Sequence, residues 1–303
     1  MNHYEIFALQ SIKGIGDVAI AKILGYCAEN QIASLLGCDF TSLSKYPPLS
    51  RYKKILSEQN TKTITAAVSA AKSAIQEWEE RGVIVIPITS AQYPKRFLEL
   101  DASPSLLFCR GNIGLLNASK TAAVIGTRNN TSEGKRIAEI VAKGLIKEDY
   151  IVVSGLALGI DAIAHWACIE QQASAIAIVV DVVKITPVTN EGLADKILAH
   201  AGLLLAENPP NIAVRPTSFI KRDRLQAALS DAIFPIETSI DGGTMHAVNA
   251  AKKLNKLIFI PSPKLSNYPN TNIKQLGGIM ALSADPSVNT FDVSNFSELI
   301  PKL

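Results

Sequence analysis

Three short runs of glycine and hydroxyl residues have the composition of an anion-binding site. They are Gly126-Thr127-Arg128 through Gly134, Ser154-Gly155 through Gly159 and Asp161, and Ser239-Ile-Asp-Gly242-Gly243-Thr244. Each follows a short apolar run and opens a helical pattern, an arrangement that turns backbone N–H groups and the positive helix end toward a phosphate. The hydroxyls of Thr127, Ser154 and Thr244 would add donors. One such loop is common in α/β proteins, but three leaving the same sheet edge point to an anion site.

Cations stand close by in the chain. Arg128, Lys135 and Arg136 lie on or just after the first loop, and Phe219-Ile-Lys221-Arg222-Asp-Arg224 opens a later helix. Read alone, the second run is a solvated helix face. Beside three phosphate loops it becomes a groove for a polyanionic backbone, with Phe219 placed to stack on a base. Aromatic residues make up only 6% of the chain, so there is no broad stacking platform.

Other chemistries find less support. Gly126 and Gly134 are spaced wrongly for GxGxxG, and Gly134-Lys135-Arg136 lacks the Ser/Thr of a P-loop, which argues against dinucleotide redox chemistry and P-loop hydrolysis. No cofactor is expected. Asp161 and His165, four apart on one helix, could act as acid and base or as metal ligands; the commoner reading is a first-turn cap beside a packed histidine. Glu207 and Glu237, each at a strand end, could assist glycosidic-bond hydrolysis, with no nucleophile or paired carboxylate to define the reaction. The four cysteines have no CxxC pair and no histidine at metal-ligand spacing, so a reduced, cytoplasmic protein is expected.

The elements that would carry these loops follow from the apolar pattern. Strands are expected at 83–87, 105–109, 121–125, 150–153, 175–180, 203–205, 232–236 and 257–260, with helices near 132–147, 160–172, 191–201, 217–229 and 243–254. Apolar strands without polar interruption, each followed by a helix, predict a parallel sheet covered on both faces, with ligands beyond the strand C-termini. Residues 1–83 read as a separate helical domain that ends in a long helix from Asn60 to Gly82. It opens with two helices around Gly14-Ile-Gly16, a helix-hairpin-helix-like turn able to hold a nucleic-acid phosphate or simply a tight turn. Residues 84–303 form the α/β domain. Net charge is only +3, so clustering matters more than total charge. No secretory signal and no apolar run of membrane-spanning length is found.

At these residues the chain resembles the DprA/Smf family of DNA-processing proteins. The match takes in Tyr93-Pro94, Gly126-Thr-Arg128 and Ser154-Gly-Leu-Ala-x-Gly-Ile-Asp-x-x-Ala-His165. It continues through Glu207-x-Pro209, Phe219-x-x-Arg222-x-Arg224, Ser230 and Asn272-x-x-x-x-Gly277-Gly-Ile. The resemblance implies an extended Rossmann-like domain, with a parallel or mixed sheet, behind a small all-helical SAM or helix-hairpin-helix-like domain. It also implies single-stranded DNA binding, a homodimer, and loading of the RecA recombinase in natural transformation, without catalytic turnover and without a membrane. Carried over, Gly126, Thr127 and Arg128 would hold a phosphate and Lys221, Arg222 and Arg224 would line the same pocket. The chain departs from the family where Asp223 replaces the asparagine of Arg-Asn-Arg, where Pro261-Ser262 replaces Pro-Gly, and in having no segment that fits a winged helix after about residue 290. A second reading is a nucleotide sensor or hydrolase, because Asp241-Gly-Gly-Thr244 beside Glu237 is similar to the loop of lysine-decarboxylase-like nucleotide-processing proteins.

Overall fold

The computed structural model describes residues 1–264, 266–268, 270 and 273–300. The motif residue Asn272 lies outside them. Two compact units emerge, one comprising Met1–Tyr93 with Leu100–Phe108 and the other Pro94–Glu99 with Cys109–Leu303.

The first unit holds helices α1 (His3–Ser11), α2 (Asp17–Glu29), α3 (Phe40–Ser44), α4 (Lys53–Ser57) and α5 (Thr61–Glu80). It also holds strand β1 (Ile84–Pro87) and the start of β2 (Leu106–Gly111). α1 begins where Asn2 and Glu5 cap each other, the Asn2 side chain accepting from Glu5 N at 3.0 Å and the Glu5 carboxylate from Asn2 N at 2.9 Å. α5 opens with a similar box on Asn60 and buries Ile64, Ala71, Ile75 and Trp78, at steps of seven, four and three residues that keep them on one face. Trp78 meets Phe7 and Phe108 edge-on at 5.1 and 5.6 Å between ring centres. Gly14 and Gly16 sit in the turn joining α1 to α2.

The second unit is doubly wound. Its strands are β3 (Thr121–Ile125), β4 (Ile151–Ser154), β5 (Ala175–Ile178), β6 (Leu203–Ala206), β7 (Ala232–Pro235), β8 (Leu257–Pro261) and β9 (Asn289–Phe291). Its helices are α6 (Ser132–Lys147), α7 (Ile160–Glu170), α8 (Glu191–Ala199), α9 (Pro216–Leu229), α10 (Thr244–Lys253), α11 (Gly277–Leu282) and α12 (Phe296–Leu299). The strands lie in the order β6-β5-β4-β3-β7-β8-β9, and each described pair among them is parallel. The chain winds outward from β3 to β6, then returns to place β7 on the other side of β3. Strands β3, β5, β6 and β7 are buried along their whole length and β4 in all but its first residue, Ile151, as a sheet covered on both faces requires.

α6 shows how sequence sets one of these helices. Ile137, Ala138, Val141, Ala142 and Leu145 fall on one stripe and enter a core shared with α7, β3, β7 and Phe296. Thr131 caps it, its hydroxyl accepting from Gly134 N at 3.0 Å. Two expected boundaries shorten: the run 175–180 pairs as a strand only to Ile178, and α7 stops at Glu170 because Gln172 turns left-handed at φ 54°. Strand β9 had no apolar run to announce it, since only Phe291 of its three residues is buried.

Candidate functional site

A parallel sheet binds ligands where its winding reverses, because neighbouring connections there leave in opposite directions and open a crevice. In this unit that place is the C-terminal end of β3 and β7. A cavity of about 720 Å³ lies there, within the size range of small-ligand sites. Gly126, Thr127 and Arg128 from the first loop line it, as do Ser239, Gly242, Gly243 and Thr244 from the third. First-turn residues of three helices also face it: Asp161 of α7, Pro216 and Phe219 of α9, Thr244 and His246 of α10. Helix starts carry partial positive charge, so three of them at one cavity favour an anion.

The middle loop contributes differently from expectation. Ser154 is fully buried and its hydroxyl donates to Val124 O at 2.6 Å, so the expected phosphate donor is spent inside the sheet. A side chain at Gly155 would collide with Arg222, and one at Gly126 with Ile160, so both glycines are explained by chain packing. Gly159 adopts φ +76° and packs on the backbone of Thr127 and Arg128, which only glycine permits. Its neighbour Ile160 donates to Thr127 O at 3.2 Å, tying the first two loops together. Leu156 is held left-handed at φ 56° with its side chain buried, while its carbonyl accepts from Asn190 Nδ2 at 2.9 Å. Such a backbone costs about 1–3 kcal/mol and persists only where its surroundings hold it.

The cationic run on α9 is split by helical phase. A period of 3.6 residues places Phe219, Arg222, Asp223 and Gln226 on the cavity side. It turns Lys221 and Arg224 away, correcting the expectation that both line the pocket. Arg224 instead pairs with Glu207, and Lys221 is exposed. Lys135 is likewise off the cavity, exposed on α6 with Glu139 at 3.9 Å.

Arg222 is a strut. Only 5% exposed, it donates through Nη1 to Gly155 O and to Ile178 O (3.0 Å), and its Nε lies 2.9 Å from Asp223 Oδ1. The exposed cation in the first loop is Arg128, whose guanidinium sits over the Phe219 ring at 5.5 Å. Arg215, just ahead of α9, is a second exposed cation in the lining, and sequence reading did not single it out. Its only signal was a basic residue directly before the Pro216 that starts a helix.

The cavity is therefore mixed in charge, not uniformly basic. Three carboxylates (Asp161, Asp223, Asp241) line it with three guanidinium groups (Arg128, Arg215, Arg222). Two of the carboxylates are muted. Burial raises the pKa of Asp161 against the opposing pull of Arg222. Burial also pushes Asp223 up to about 6, again with Arg222 opposing.

The candidate hydrolytic groups do not meet in this cavity. His165 is fully buried and held down to about 3 by desolvation and then by Arg222, so it stays neutral. Glu237 is also fully buried; its carboxylate accepts from Thr131 N at 2.9 Å and Thr131 Oγ1 at 2.6 Å, which fixes the end of the first loop. Thr127 N donates to Glu237 O at 2.7 Å, so the same residue holds both ends of that loop.

Fold and cavity together define a Rossmann-like α/β protein with a cavity at its switch point. A family model described as DNA recombination-mediator protein A matches residues 84–286, and the chain belongs to that family. DNA processing protein DprA of Bacillus subtilis is 30% identical over 199 residues, 65% of this chain and 67% of that protein. The chain spans less than half the length of two further curated relatives. Among solved structures, DNA processing protein A from Streptococcus pneumoniae superposes over 100% of this chain and 98% of its own, with a TM-score of 0.79 at 23% identity, which shows the shared fold. A structure describing the single-stranded DNA binding mode of DNA processing protein A from Helicobacter pylori covers 73% of this chain and 96% of its own, with a TM-score of 0.63 and 27% identity. Among the described residues no helix is long and apolar enough to cross a membrane.

Proposed function

We propose that this chain binds single-stranded DNA in the cavity between β3 and β7 and acts in recombination without turning over a substrate. The observation that carries the reading is the meeting of three helix starts with the exposed Arg128 and Arg215 at one 720 Å³ cavity. Family membership supports it, as does the likeness to the Helicobacter pylori protein, whose structure concerns single-stranded DNA. Gly126, Thr127, Gly242, Gly243 and Thr244 would cradle a phosphate through backbone and hydroxyl donors, and Arg128 and Arg215 would neutralise it. In the same proposal the protein works in the cytoplasm as a homodimer and delivers the strand to a RecA-type recombinase.

Anisotropy titration of labelled oligo(dT) at two salt concentrations, with a duplex control, tests the reading. Affinity should fall with salt, and Arg128→Ala and Arg215→Ala should each lower the log–log slope by about 0.7, the value for one phosphate on a single strand. Lys221→Ala, off the cavity, should change it less. Unchanged affinity and slope in both arginine variants would remove this cavity as the binding site.

A further inference from the structure

One guanidinium in the cavity wall serves two buried carboxylates. Arg222 Nε lies 2.9 Å from Asp223 Oδ1, while Arg222 Nη1 and Asp161 Oδ2 both border the space where a side chain at Gly155 would fall. His165, buried beside them, stays neutral and adds no charge. The cluster thus carries one more negative than positive charge, in the lining of a cavity that a phosphate would enter. An arriving anion worsens that imbalance, and neutralising a carboxylate relieves it. The surroundings single out Asp223 for that role. The third lining carboxylate, Asp241, is exposed, where solvent screens its charge. Burial raises Asp161, but Arg222 and the backbone N–H groups of Ala157 and Gly126 hold it toward its charged form. Asp223 is 8% exposed, and its Oδ1 accepts from Gln226 Nε2 at 3.0 Å. Among the described residues no backbone N–H reaches its carboxylate.

We propose that Asp223 takes up a proton when a phosphate enters the cavity, so that strand binding and protonation of this carboxylate favour each other. This inference rests on the single-strand reading given above and adds a pH control to it. The proton passes from solvent to a carboxylate oxygen of Asp223, and the phosphate keeps its own charge. Linkage makes the effect mutual: an anion that strengthens proton binding at Asp223 is itself bound more tightly once the proton is on. Burial pushes the Asp223 carboxyl up to about 6; Asp161 of α7 adds to the rise, and Arg222, His246 of α10 and Arg128 of the first loop oppose it. A further negative charge in the cavity acts in the same direction as Asp161, carrying the titration toward neutral pH, where an ordinary carboxyl is fully ionised. The other charges of α9 lie outside this balance, since Lys221 is exposed off the cavity and Arg224 pairs with Glu207. His246 is exposed in the lining and, as an imidazole, can also charge beside an anion, so substitution must separate the two.

Anisotropy titration of oligo(dT), carrying a dye that does not titrate, from about pH 5.5 to about pH 8 tests the proposal on wild type and Asp223→Asn. Diester phosphates and thymine hold their charge across that range, so any proton taken up belongs to the protein. For an anion that strengthens proton binding at Asp223 about 10-fold, a modest coupling for charges sharing one cavity, Asp223→Asn should bind about 10-fold more tightly than wild type at pH 8 and within about 2-fold at pH 5.5. The same convergence should appear between His246→Gln and the double variant, which excludes the imidazole as its source. Calorimetry near pH 6.5 in two buffers of different ionisation enthalpy keeps the proposal open to refutation if Asp223→Asn folds poorly. Wild type and His246→Gln should each take up about half a proton per strand bound. A ratio of affinities that stays constant with pH, or binding without proton uptake, overturns the coupling. If oligo(dT) binds at no pH, the single-strand reading falls, and sulfate, whose charge is fixed in this range, decides the coupling by thermal shift. A sulfate shift larger at pH 5.5 than at pH 8 in wild type but equal in Asp223→Asn upholds it, and equal shifts in wild type overturn it.

Discussion

Replacing Gly134 with alanine should destabilise the protein, and the same replacement in a Glu237→Ala background should stabilise it. Gly134 is the third residue of α6, where alanine is favoured over glycine by about 0.5–1 kcal/mol. In this structure, however, a side chain there would fall on the Glu237 carboxyl group. That group is fully buried and accepts from Thr131 N and Thr131 Oγ1, so it moves aside only by giving up both bonds. Hydrogen bonds to a charged acceptor contribute about 1.5–3 kcal/mol each. Set against the helix gain, Gly134→Ala should cost about 2–4 kcal/mol. Glu237→Ala alone should cost about 3 kcal/mol or more by stranding the Thr131 donors. With the carboxylate gone, the helix preference acts unopposed and the sign reverses, giving a coupling energy of at least about 2 kcal/mol. Urea unfolding of the four proteins, followed by circular dichroism, measures every corner of the cycle. Equal costs of Gly134→Ala in both backgrounds, within about 0.5 kcal/mol, would refute the account of this loop.

Arg222→Ala should lower stability by about 3–5 kcal/mol, because it strands two carbonyls and leaves a buried carboxylate unpaired; Arg222→Lys should not restore it, since one ammonium cannot span the three partners. A thermal midpoint within two or three degrees of wild type would contradict the strut role. The pH dependence has a definite sign. Burial pushes the Asp223 carboxyl up to about 6 when folded, against an ordinary 3.8; Asp161 adds to the rise, and Arg222, His246 and Arg128 oppose it. Between those values the folded state holds the extra proton, so this residue's contribution to stability should fall as pH rises from about 4 to about 6 and stay low above that. The wild-type minus Asp223→Asn difference in unfolding free energy should trace that fall, up to about 3 kcal/mol, and a flat difference would refute it.

The sheet was legible because each central strand is buried on both faces and so reads as an unbroken apolar run with a helix behind it. The edge strand β9 was not, since two of its three residues are exposed and carry no such signal. At the site, the loops could be found by their glycines, but the partner of each glycine lies far away in sequence. Nothing near Gly134 announces Glu237, and nothing near Gly155 announces Arg222. Adjacency in the chain groups the basic run on α9 together, whereas the helix sorts it by phase, sending Arg222 inward and Lys221 outward. Helical phase was available from the spacing 219, 222, 223 and 226. The burial of Ser154 and the pairing of Arg224 with Glu207 were not, because both depend on contacts across the sheet.

The stacking of Arg128 on Phe219 means that the cavity's aromatic and its mobile-length cation already satisfy each other before anything arrives. A nucleotide that wants the ring face must displace the guanidinium, and a guanidinium that swings out is thereby freed to follow the incoming phosphate. In the proposed single-strand reading, arrival of the base and neutralisation of its backbone would become a single exchange, so an abasic strand and a free nucleoside should each recover less than half of what the intact nucleotide does.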